Sequence, residues 1–505
     1  MKNISFLIFL ITITNFVNSQ NIEWSMCYGG TEDDQINEII QIEDNHFIAV
    51  GYTSSDNGDV SENNGYVDYW IIKLNEYGSI IWEKTYGGSY YDWVNSVQQT
   101  TDGGFIVVGT TRSIDGDVNG NHGYNDYWIL KLDEYGDTLW TRCYGGSLND
   151  QVSAVQQTTD GGYILTGSTR SIDGDVNGNN GLDDFWILKL DEFGEILWSK
   201  TYGGSNNDYG KSVEQTADGK YMVLGTTTSN DGDVSSPLGE TDYWILKLDE
   251  FGDILWARCY GGTNDDYASS IQQVLDGGYV VLGYSKSDNC HLNENNGETD
   301  YWILKLNELG NTQWSKSYGG SDTESAFSMH QTTDDGFIVA GYTKSNDLDV
   351  NGNHGYWDSW ILKLDMFGDT IWTRCYGGLE LDKSIAVIQS NDGGFVIAGE
   401  TKSNDGDIEG NHGNSDCFVL KLNNNNTGIL NQKLSDVVQV FPNPTTGIIN
   451  IKTEKITKIE VYNLLGELIL ESNSEKIDIG DHSSGIYYIK IFNDKEIATK
   501  KIIKN

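Results

Sequence analysis

The sequence of 505 residues contains only three prolines, and beyond its N-terminal segment it has no apolar run long enough to cross a membrane. The HExxH, GxSxG and phosphate-loop motifs are also missing. Seven histidines are scattered over the chain, and none of them stands in a catalytic pattern. The sequence therefore assigns no catalytic residue and predicts no organic cofactor.

Basic residues are scarce as well. The 32 Lys and Arg stand against 75 Asp and Glu, which gives a formal net charge of −43. Residues 437–505 contain nine Lys and nine acidic residues, so the excess negative charge lies before them. Because such a field repels phosphate backbones and anionic lipid surfaces, we exclude nucleic acids as partners and expect neutral or cationic ligands.

The first twenty residues, MKNISFLIFLITITNFVNSQ, join one lysine to an apolar run from Ile4 to Val17. Small or polar residues follow, with Val17 and Ser19 at the expected cleavage positions. This order predicts a secretory signal peptide over residues 1–19. A membrane anchor is the alternative, although the run is shorter than a membrane-spanning helix requires.

One eight-residue motif recurs through the next four hundred residues. WTRCYGGS, at 140–147, returns in variant form, and the seven YGG tyrosines are 58 residues apart. These tyrosines are Tyr28, Tyr86, Tyr144, Tyr202, Tyr260, Tyr318 and Tyr376. Seven units of equal length indicate one structural module in a repeated environment.

Four of the six cysteines directly precede a repeated tyrosine, at a position that Thr or Ser fills in the other units. A residue that alternates with Thr and Ser acts as a small filler, so we expect free thiols at these four positions. They are Cys27, Cys143, Cys259 and Cys375.

Each repeat contains four apolar bursts separated by turn residues, for example 96–100, 103–113, 126–132 and 138–144. Val, Ile, Thr, Tyr and Trp dominate these bursts, which is typical of strands. Four strands per repeat favour an all-β fold, a seven-bladed β-propeller over residues 20–424. A solenoid of stacked repeats is the alternative architecture.

The two ends of the repeat array distinguish these architectures. The last repeat lacks its Trp strand and runs into NNNNTGILNQ, whereas an extra copy of that strand, residues 22–28, stands at the front. A ring closes when the first strand pairs with the last repeat, and two sheet edges are then covered. We therefore predict that residues 22–28 complete the seventh blade.

The segment LDEYGDTLWTRCYGG resembles the tryptophan-docking motif of quinoprotein dehydrogenases, with a turn one residue shorter, and more loosely the blades of kelch-like propellers. The resemblance implies that the repeated tryptophan locks neighbouring blades together. It does not imply redox chemistry, because quinone-site residues outside the repeat are missing. The tryptophans concerned are Trp24, Trp82, Trp140, Trp198, Trp256, Trp314 and Trp372.

Residues 437–505 contain four further motifs, VFPNPTTGIINI (440–451), IEVYNLLGELI (459–469), SSGIYYIKI (483–491) and KKIIK (500–504). Alternating strands and turn glycines predict a small β-sandwich here. In order and position the motifs are similar to the C-terminal sorting domain of the type IX secretion system. The motif positions are Pro442, Asn443, Pro444, Gly447, Gly466, Gly485 and Tyr487.

This resemblance implies that the export machinery of a Bacteroidetes-type Gram-negative bacterium recognises the domain. It also implies that the domain is removed on export, and that the product is secreted or attached to the outer-membrane surface. We expect cleavage in the linker at residues 425–436. An ordinary β-sandwich binding domain is the alternative.

The long loop between the second and third strands of a repeat is rich in Asp, Asn and Gly. In the loop at 115–126 the acidic and amide residues have the spacing of an EF-hand-type calcium loop, so calcium is the candidate ion. The same residue types also dominate ordinary turns, which is the alternative interpretation. The candidate ligands are Asp115, Asp117, Asn119, Asp126, Asp173, Asp175, Asn177, Asp184, Asp347, Asp349, Asn351, Asp358, Asp405, Asp407, Glu409 and Asp416.

Three more repeated positions are charged or titratable. An acidic residue stands six positions after each repeated tyrosine, on the predicted face of the long loops: Asp34, Asp92, Asp150, Asp208, Asp266, Glu324 and Asp382. The repeated lysine of the third strand is expected to pair with an acid: Lys73, Lys131, Lys189, Lys247, Lys305, Lys363 and Lys421. His122, His354 and His412 share a position with asparagines, so we expect a loop contact there.

Two functions fit the sequence. The first is a secreted or surface-displayed propeller that acts as a non-catalytic binding or adhesion scaffold, for a glycan or a protein. The alternative is a polysaccharide-active enzyme, such as an endoglucanase-like hydrolase, or its glycan-binding accessory. A catalytic pair would come from residues that differ between blades, and the repeat varies most in the loops at 57–68, 231–242 and 289–300.

Overall fold

The structure is a computed structural model that describes residues 21–292, 295–424, 438–452, 456–464, 466–492 and 497–505. The predicted signal peptide at 1–19 and the predicted linker at 425–436 lie outside the described residues. Within them, no helix has the length and apolar character of a membrane span. All six cysteines are free thiols, as expected for the four in the repeat.

Seven four-stranded antiparallel sheets form the first part of the chain, each with its first strand innermost. They form a closed ring, because the innermost strands contact one another in sequence and the last contacts the first. This arrangement confirms the predicted seven-bladed propeller. Each sheet is called a blade here, and one short 3-10 turn, Glu43–Asn45, lies between the first two strands of blade one.

The blades have the following strands, from the innermost outwards: blade one β2 (Asp34–Gln41), β3 (Phe47–Thr53), β4 (Asp68–Leu74) and β5 (Ile80–Tyr86); blade two β6 (Asp92–Gln99), β7 (Phe105–Thr111), β8 (Asp126–Leu132) and β9 (Thr138–Tyr144); blade three β10 (Asp150–Gln157), β11 (Tyr163–Thr169), β12 (Asp184–Leu190) and β13 (Ile196–Tyr202); blade four β14 (Asp208–Gln215), β15 (Tyr221–Thr227), β16 (Asp242–Leu248) and β17 (Ile254–Tyr260); blade five β18 (Asp266–Gln273), β19 (Tyr279–Ser285), β20 (Asp300–Leu306) and β21 (Thr312–Tyr318); blade six β22 (Glu324–Gln331), β23 (Phe337–Thr343), β24 (Asp358–Leu364) and β25 (Thr370–Tyr376); blade seven β26 (Asp382–Gln389), β27 (Phe395–Thr401), β28 (Asp416–Leu422) and β1 (Ile22–Tyr28).

The N-terminal strand closes the ring as the sequence predicts. β1 pairs antiparallel with β28, with Tyr28 opposite Cys417 and Ser25 opposite Leu420. It therefore occupies the outermost position of blade seven, a position that the C-terminal end of the repeat array leaves free.

The two middle strands of each blade carry the core. In β8, DYWILKL, every residue is buried, because both faces of the sheet pack against neighbouring blades. Such strands are nearly continuous apolar runs without polar alternation. The largest buried side chain of the repeat, Trp128 in blade two, lies with its ring 4.5 Å from that of Tyr69 in blade one.

The first strand of each blade begins earlier than its apolar burst suggests. The burst at 96–100 predicts a strand there, whereas β6 begins at Asp92 and has a bulge between Val94 and Ser96. The strand can begin with a buried acid because the neighbouring backbone and hydroxyl groups hydrogen-bond to its carboxylate, as described below. The apolar pattern gives no sign of this extension.

The repeated tryptophan and tyrosine lock each outer strand onto the next blade. A Cβ at Gly136, in the turn between β8 and β9, would lie 3.1 Å from the indole of Trp82 in blade one. The hydroxyl of Tyr86 donates a hydrogen bond to the carbonyl oxygen of the same glycine. The glycine has a φ of 80° and presents no side chain, so ring and hydroxyl both reach its backbone.

The C-terminal part is a two-sheet β-sandwich. One sheet contains β29 (Gln439–Phe441), β30 (Ile448–Lys452) and β33 (Lys476–Asp478), and the other contains β32 (Leu468–Ser472), β31 (Lys458–Asn463), β34 (Gly485–Phe492) and β35 (Ile497–Lys504). We call residues 438–505 the tail domain. Its core is aliphatic, with Ile449, Ile459 and Ile489 fully buried.

The sorting motifs hold the tail domain together. Asn443 donates to the carbonyl oxygen of Lys501 at 2.7 Å and accepts from the Ile503 N–H at 2.8 Å, so the first motif is tied to the last strand. Pro442 and Pro444 flank it. The hydroxyl of Tyr487 donates to the carbonyl oxygen of Ser483 at 2.6 Å.

The three motif glycines serve the backbone in different ways. Gly466 has a φ of 76° in the β31–β32 turn. Gly447 approaches Gly480 so closely that a Cβ would lie 2.7 Å from its Cα. Gly485 begins β34.

Candidate functional site

The face of the propeller that carries the long loops between second and third strands is called the loop face, and the opposite face the turn face. On the loop face, a buried carboxylate begins the innermost strand of every blade. Asp92 is fully buried and accepts hydrogen bonds from the Gly88 N–H at 2.9 Å and the Ser113 hydroxyl at 2.8 Å, and also from Thr111. Burial raises the pKa of Asp92, and these donors oppose the rise. The repeated acid thus stabilises the link between blades through these hydrogen bonds.

A second buried carboxylate faces the first across the repeated glycine. Asp68, at the start of β4, accepts from the Asn64 N–H at 2.6 Å through Oδ2. A Cβ on Gly87 would lie 2.2 Å from Asp68 Oδ1 and 2.8 Å from Asp92 Oδ2, so the two carboxylates flank this glycine. Burial raises the pKa of Asp68 to about 7, and the charges of Asp92 and Asp117 contribute to the rise.

The Oδ1 atom of this second carboxylate is buried without a hydrogen-bond partner in all seven blades, among the residues that the structure describes. The acids concerned are Asp68, Asp126, Asp184, Asp242, Asp300, Asp358 and Asp416. Buried polar atoms without partners are rare and costly. Burial raises the pKa of all seven of these acids, so their ionised form is disfavoured at the junctions between blades.

The predicted calcium loops distribute their acids between two such junctions. Asp115 accepts from the Ser89 N–H at 2.8 Å and Asp117 from the Gly87 N–H at 3.2 Å, both on the chain that enters blade two. Asp126 lies at the exit of the same blade, where a Cβ on Gly145 would be 2.5 Å from its Oδ1. Asn119 is exposed between them.

The other candidate loops are arranged in the same way. Asp173 and Asp175 accept from the Ser147 and Gly145 N–H groups, and Asp347 and Asp349 from those of Ser321 and Gly319. Asn177, Asn351 and Glu409 are exposed, and Asp405, which is also exposed, accepts from the Leu379 N–H. Asp407 donates its N–H to the carbonyl oxygen of Gly377 at 3.0 Å, and Asp184, Asp358 and Asp416 begin third strands. No group of three or more His, Cys, Asp or Glu side chains within the described ranges is placed to hold a metal ion. Calcium binding stays a prediction.

The histidines of these loops make a local contact. His122 Nδ1 lies 2.8 Å from Asp126 Oδ2, His354 Nδ1 lies 2.8 Å from Asp358 Oδ2, and His412 Nδ1 lies 2.7 Å from Asp416 Oδ2. The backbone N–H of each histidine donates to the same oxygen. These rings therefore close the loop onto the third strand, as the sequence predicts.

In blades two to seven the repeated lysine forms an ion pair on the turn face, whereas the pairing predicted for Lys73 of blade one is not seen among the described residues. Lys131 Nζ lies 2.9 Å from Asp102 Oδ2 in the turn between the first two strands of the same blade. The lysine is buried and also donates to the carbonyl oxygen of Leu132 at 3.1 Å. Equivalent pairs join Lys189 to Asp160, Lys247 to Asp218, Lys305 to Asp276, Lys363 to Asp334 and Lys421 to Asp392. These pairs join the third strand of a blade to the turn between its first two strands.

Residues that break the repeat meet at the loop-face ends of the inner strands of blades five and six. Five half-buried aromatic rings follow one another there and form what we call the aromatic arc: Tyr267, Tyr284, Phe327, Tyr342 and Trp357. Successive ring centroids are 5.2, 6.5, 5.6 and 4.5 Å apart. These spacings lie in the range of favourable ring contacts.

Polar groups stand at one end of the aromatic arc. Lys383, in the innermost strand of blade seven, places Nζ 5.3 Å from the ring centroid of Tyr342 and 5.0 Å from that of Trp357. The lysine also pairs with Glu400 at 3.4 Å. The indole N–H of Trp357 is buried without a partner in the described part of the chain. The arc therefore combines flat apolar surface with a cation and an acid at one end.

A second aromatic group lies across the ring, in blades one and two. Tyr91 stacks on Tyr66 at 5.2 Å and on Trp93 at 5.3 Å. Tyr66 is 61% exposed, so this group is more open to solvent than the arc. It has the same residue types as the arc, and Trp93 therefore offers a matched comparison for Trp357.

Sequence reasoning missed the aromatic arc. The loops with the largest departures from the repeat were expected to hold any specific site, and only 289–300, which is partly outside the described residues, belongs to a blade of the arc. The signal lay inside the strands, where the position after the starting acid is Gln35, Trp93, Gln151, Tyr209, Tyr267, Ser325 or Lys383 in successive blades. The side chain at this position therefore changes in size, polarity and charge from blade to blade, and in blade five it supplies a ring of the arc.

Comparison with known proteins identifies the tail domain. Residues 439–505 match the family described as the secretion system C-terminal sorting domain. Over 340 residues, or 61% of this chain, the sequence is 28% identical to the regulatory protein FlaEY of Caulobacter vibrioides. The match covers 33% of that protein, so the chain spans about a third of the length of this relative.

Several solved structures resemble the propeller at low sequence identity. Sqt1 from Chaetomium thermophilum aligns over 79% of this chain and 99% of its own, with a TM-score of 0.41 and 11% identity. The Pan2 WD40 domain of Neurospora crassa aligns over 77% and 90%, with a TM-score of 0.41 and 11% identity. YCF48, in a structure with a bound D1 peptide, aligns over 81% and 100%, with a TM-score of 0.41 and 10% identity.

The tail domain indicates a protein that is exported to the cell surface or beyond it. The chain is a seven-bladed β-propeller that carries a C-terminal sorting domain of the type IX secretion system.

Proposed function

We propose that this protein is a non-catalytic, surface-displayed or secreted scaffold whose propeller binds carbohydrate at the aromatic arc. A signal peptide at residues 1–19 would direct it across the inner membrane of a Gram-negative bacterium. The sorting domain then delivers it to the type IX machinery, and cleavage at 425–436 leaves the propeller at the outer-membrane surface or in the medium.

The observation that carries this proposal is the aromatic arc itself. Pyranose rings present an apolar C–H face with hydroxyl groups at the rim, and a row of half-buried rings with polar groups beside it complements both parts. The ammonium group of Lys383, whose side chain is partly exposed, offers a donor to a sugar hydroxyl. Binding sites generally combine aromatic walls with a few polar groups of this kind.

The charges at the arc favour a neutral ligand over a cationic one. Aromatic rings in an acidic protein attract cations by their π faces. Here the ammonium group of Lys383 already occupies that position, close to the rings of Tyr342 and Trp357. A second cation would meet like charge, whereas an uncharged sugar would not.

A binding role is also consistent with what the carboxylates do. On the loop face, the repeated acids are engaged with backbone N–H groups, hydroxyls or histidines in the links between blades. Glu400, the acid at the end of the arc, is held by Lys383 at 3.4 Å. The repeated loop-face acids thus serve the structure of the links between blades.

A glycan array combined with a reducing-sugar release assay tests this function. We expect the purified propeller to bind a restricted set of oligosaccharides and to release no reducing ends from them. Tyr342→Ala should weaken the array signal, since it removes the ring that lies between Phe327 and Trp357. Release of sugar by the wild-type protein would favour the hydrolase, and an empty array would contradict carbohydrate binding.

A further inference from the structure

The tail domain contacts the propeller at one blade. Lys490 of β34 is 5% exposed and places Nζ 2.5 Å from Asp369 Oδ2 and 3.6 Å from Asp365 Oδ2. Both acids belong to the turn between β24 and β25 of blade six, on the turn face. The same ammonium group lies 4.0 Å from the ring centroid of Phe367, between the two acids.

Two tail tyrosines complete this contact. The ring of Tyr462 lies 5.0 Å from that of Phe367, and the ring of Tyr488 lies 6.4 Å from it, nearly perpendicular. Beside them a cleft of about 290 Å³ separates the tail from blades five and six. An ion pair, a cation–π contact and two ring contacts therefore converge on one propeller turn.

Blade six differs from its neighbours at this turn. The turns of the first five blades carry a glutamate at the second position, Glu76, Glu134, Glu192, Glu250 and Glu308, and blade six carries Met366. The next residue is 60–65% exposed in those blades, namely Tyr77, Tyr135, Phe193, Phe251 and Leu309. Phe367, by contrast, is half-buried, because the tail domain covers it.

The replacement has a physical consequence for docking. A glutamate in place of Met366 would bring a third carboxylate to a site that must bury apolar rings, and a buried charge is costly. Methionine is flexible and packs well against aromatic rings. The acids that pair with Lys490 are present in other blades too, so charge alone does not select blade six.

The chain length is compatible with docking. Asn424 donates to the carbonyl oxygen of Asp392 at 3.4 Å, so the propeller ends on the turn face, in the blade next to blade six. Fourteen residue steps separate Asn424 from Val438. An extended chain spans about 3.3 Å per residue, or roughly 45 Å here, which is ample for adjacent blades.

We propose that the turn of blade six is a dedicated docking site for the sorting domain. Docking holds cargo and sorting signal as one body before cleavage and covers the face of the tail that carries Tyr462, Tyr488 and Lys490. Removal of the tail then uncovers Met366, Phe367 and the two acids as an apolar patch with negative charge at its edge.

Cross-linking tests the position of the tail. In a Cys290→Ser background, which removes the exposed native thiol, cysteines are placed at Asp369 and Lys490 and treated with a short bis-maleimide. The matched control places the propeller cysteine at Asp253, which ends the same turn in blade four and makes the same 2.6 Å pair with the lysine of the preceding blade. We expect an intramolecular cross-link for 369 with 490 and none for 253 with 490. Equal yields in both variants would overturn the proposal.

Hydrogen exchange of the full chain tests the energetic part. Phe367→Ala lies in the propeller and leaves the tail sequence unchanged, so it can affect the tail only through docking. We expect several-fold faster exchange in β31 and β34 in this variant, and no change in the control Phe251→Ala. Unchanged exchange of both strands in Phe367→Ala would show that the contact does not persist in solution.

Discussion

The indole of Trp24, three residues into the first strand, packs on Gly78 in the turn of blade one, where a Cβ would lie 2.9 Å from two of its ring carbons. The Trp24 N–H also donates to the carbonyl oxygen of Glu76 at 3.1 Å. Because β1 is the outer strand of blade seven, this contact joins the last blade to the first. One short segment therefore closes the ring twice, by strand pairing within blade seven and by side-chain docking onto blade one.

Truncation of Trp24 should destabilise the whole propeller. Trp24→Ala removes a half-buried ring at the closing junction, and we expect a loss of about 2 kcal/mol in the free energy of unfolding, roughly half the cost of a fully buried tryptophan. Met26→Ala in the same strand, 40% exposed, should change it by less than about 0.5 kcal/mol. Chemical denaturation measures both. Equal effects of the two variants would mean that strand pairing alone closes the ring.

Removal of residues 21–30 tests closure as a whole. Blade seven would lose its outer strand, and both its edge and the turn of blade one would be exposed to solvent. We expect a variant with a lower melting temperature and loss of a single cooperative transition. A deletion variant that unfolds as cooperatively as the wild type would contradict closure by β1.

The facing carboxylates should make the propeller less stable as the pH rises. Burial, together with nearby acids, raises the pKa of Asp68 to about 7 and that of Asp300 to about 7, whereas the unfolded value is near 3.8. A raised folded-state pKa means that the folded protein holds protons which the unfolded chain releases. This stabilisation is complete below about pH 4 and is lost as the pH rises to about 7. Melting temperatures between pH 5 and pH 8 should therefore fall.

Asp68→Asn separates this effect from general charge repulsion. The amide cannot ionise, so the variant should melt higher than the wild type at pH 8, and the difference should shrink as the pH falls towards 4. Asp102→Asn provides the opposite case. Although burial opposes ionisation of Asp102, hydrogen bonds from Thr100 and Lys131 lower its pKa to about 2, so its carboxylate stabilises the fold above pH 4. This variant should melt lower at pH 8.

Calcium binding at the loops is tested by melting curves of chelator-treated protein. If the loops bind calcium, added calcium raises the melting temperature, since a ligand of the folded state stabilises it. Asp117→Asn should reduce the rise, and magnesium should not replace calcium. Identical curves with calcium and with chelator would contradict the calcium prediction.

The fold could be predicted from the sequence because the same strand pattern occurs in each of the seven repeats. Seven spaced copies of YGG, together with the displaced copy at 22–28, define both the number of blades and the mode of closure. The docking role of Trp82 and its equivalents was also predictable, from a resemblance. The start of β6 at Asp92 was not, because a buried acid within a strand depends on donors such as Ser113, which are distant in sequence.

The candidate site was less predictable for a related reason. Tyr267, Phe327 and Trp357 lie about 30 or 60 residues apart and come together only because the blades are arranged around an axis. The sequence pattern favoured the acidic loops as a site, because their composition is the more conspicuous. In the structure, residues such as Asp115 and Asp117 bind backbone N–H groups of the preceding link, and the distinctive surface is aromatic.

The most direct test of carbohydrate binding at the aromatic arc is a pair of binding isotherms, measured with the oligosaccharide that gives the strongest array signal. Trp357→Ala removes one stacking ring, and we expect the Kd of this variant to rise at least about tenfold. Trp93→Ala removes the same residue type from the opposite aromatic group and should bind like the wild type. Wild-type affinity in Trp357→Ala, or equal losses in both variants, would contradict the assignment of the site.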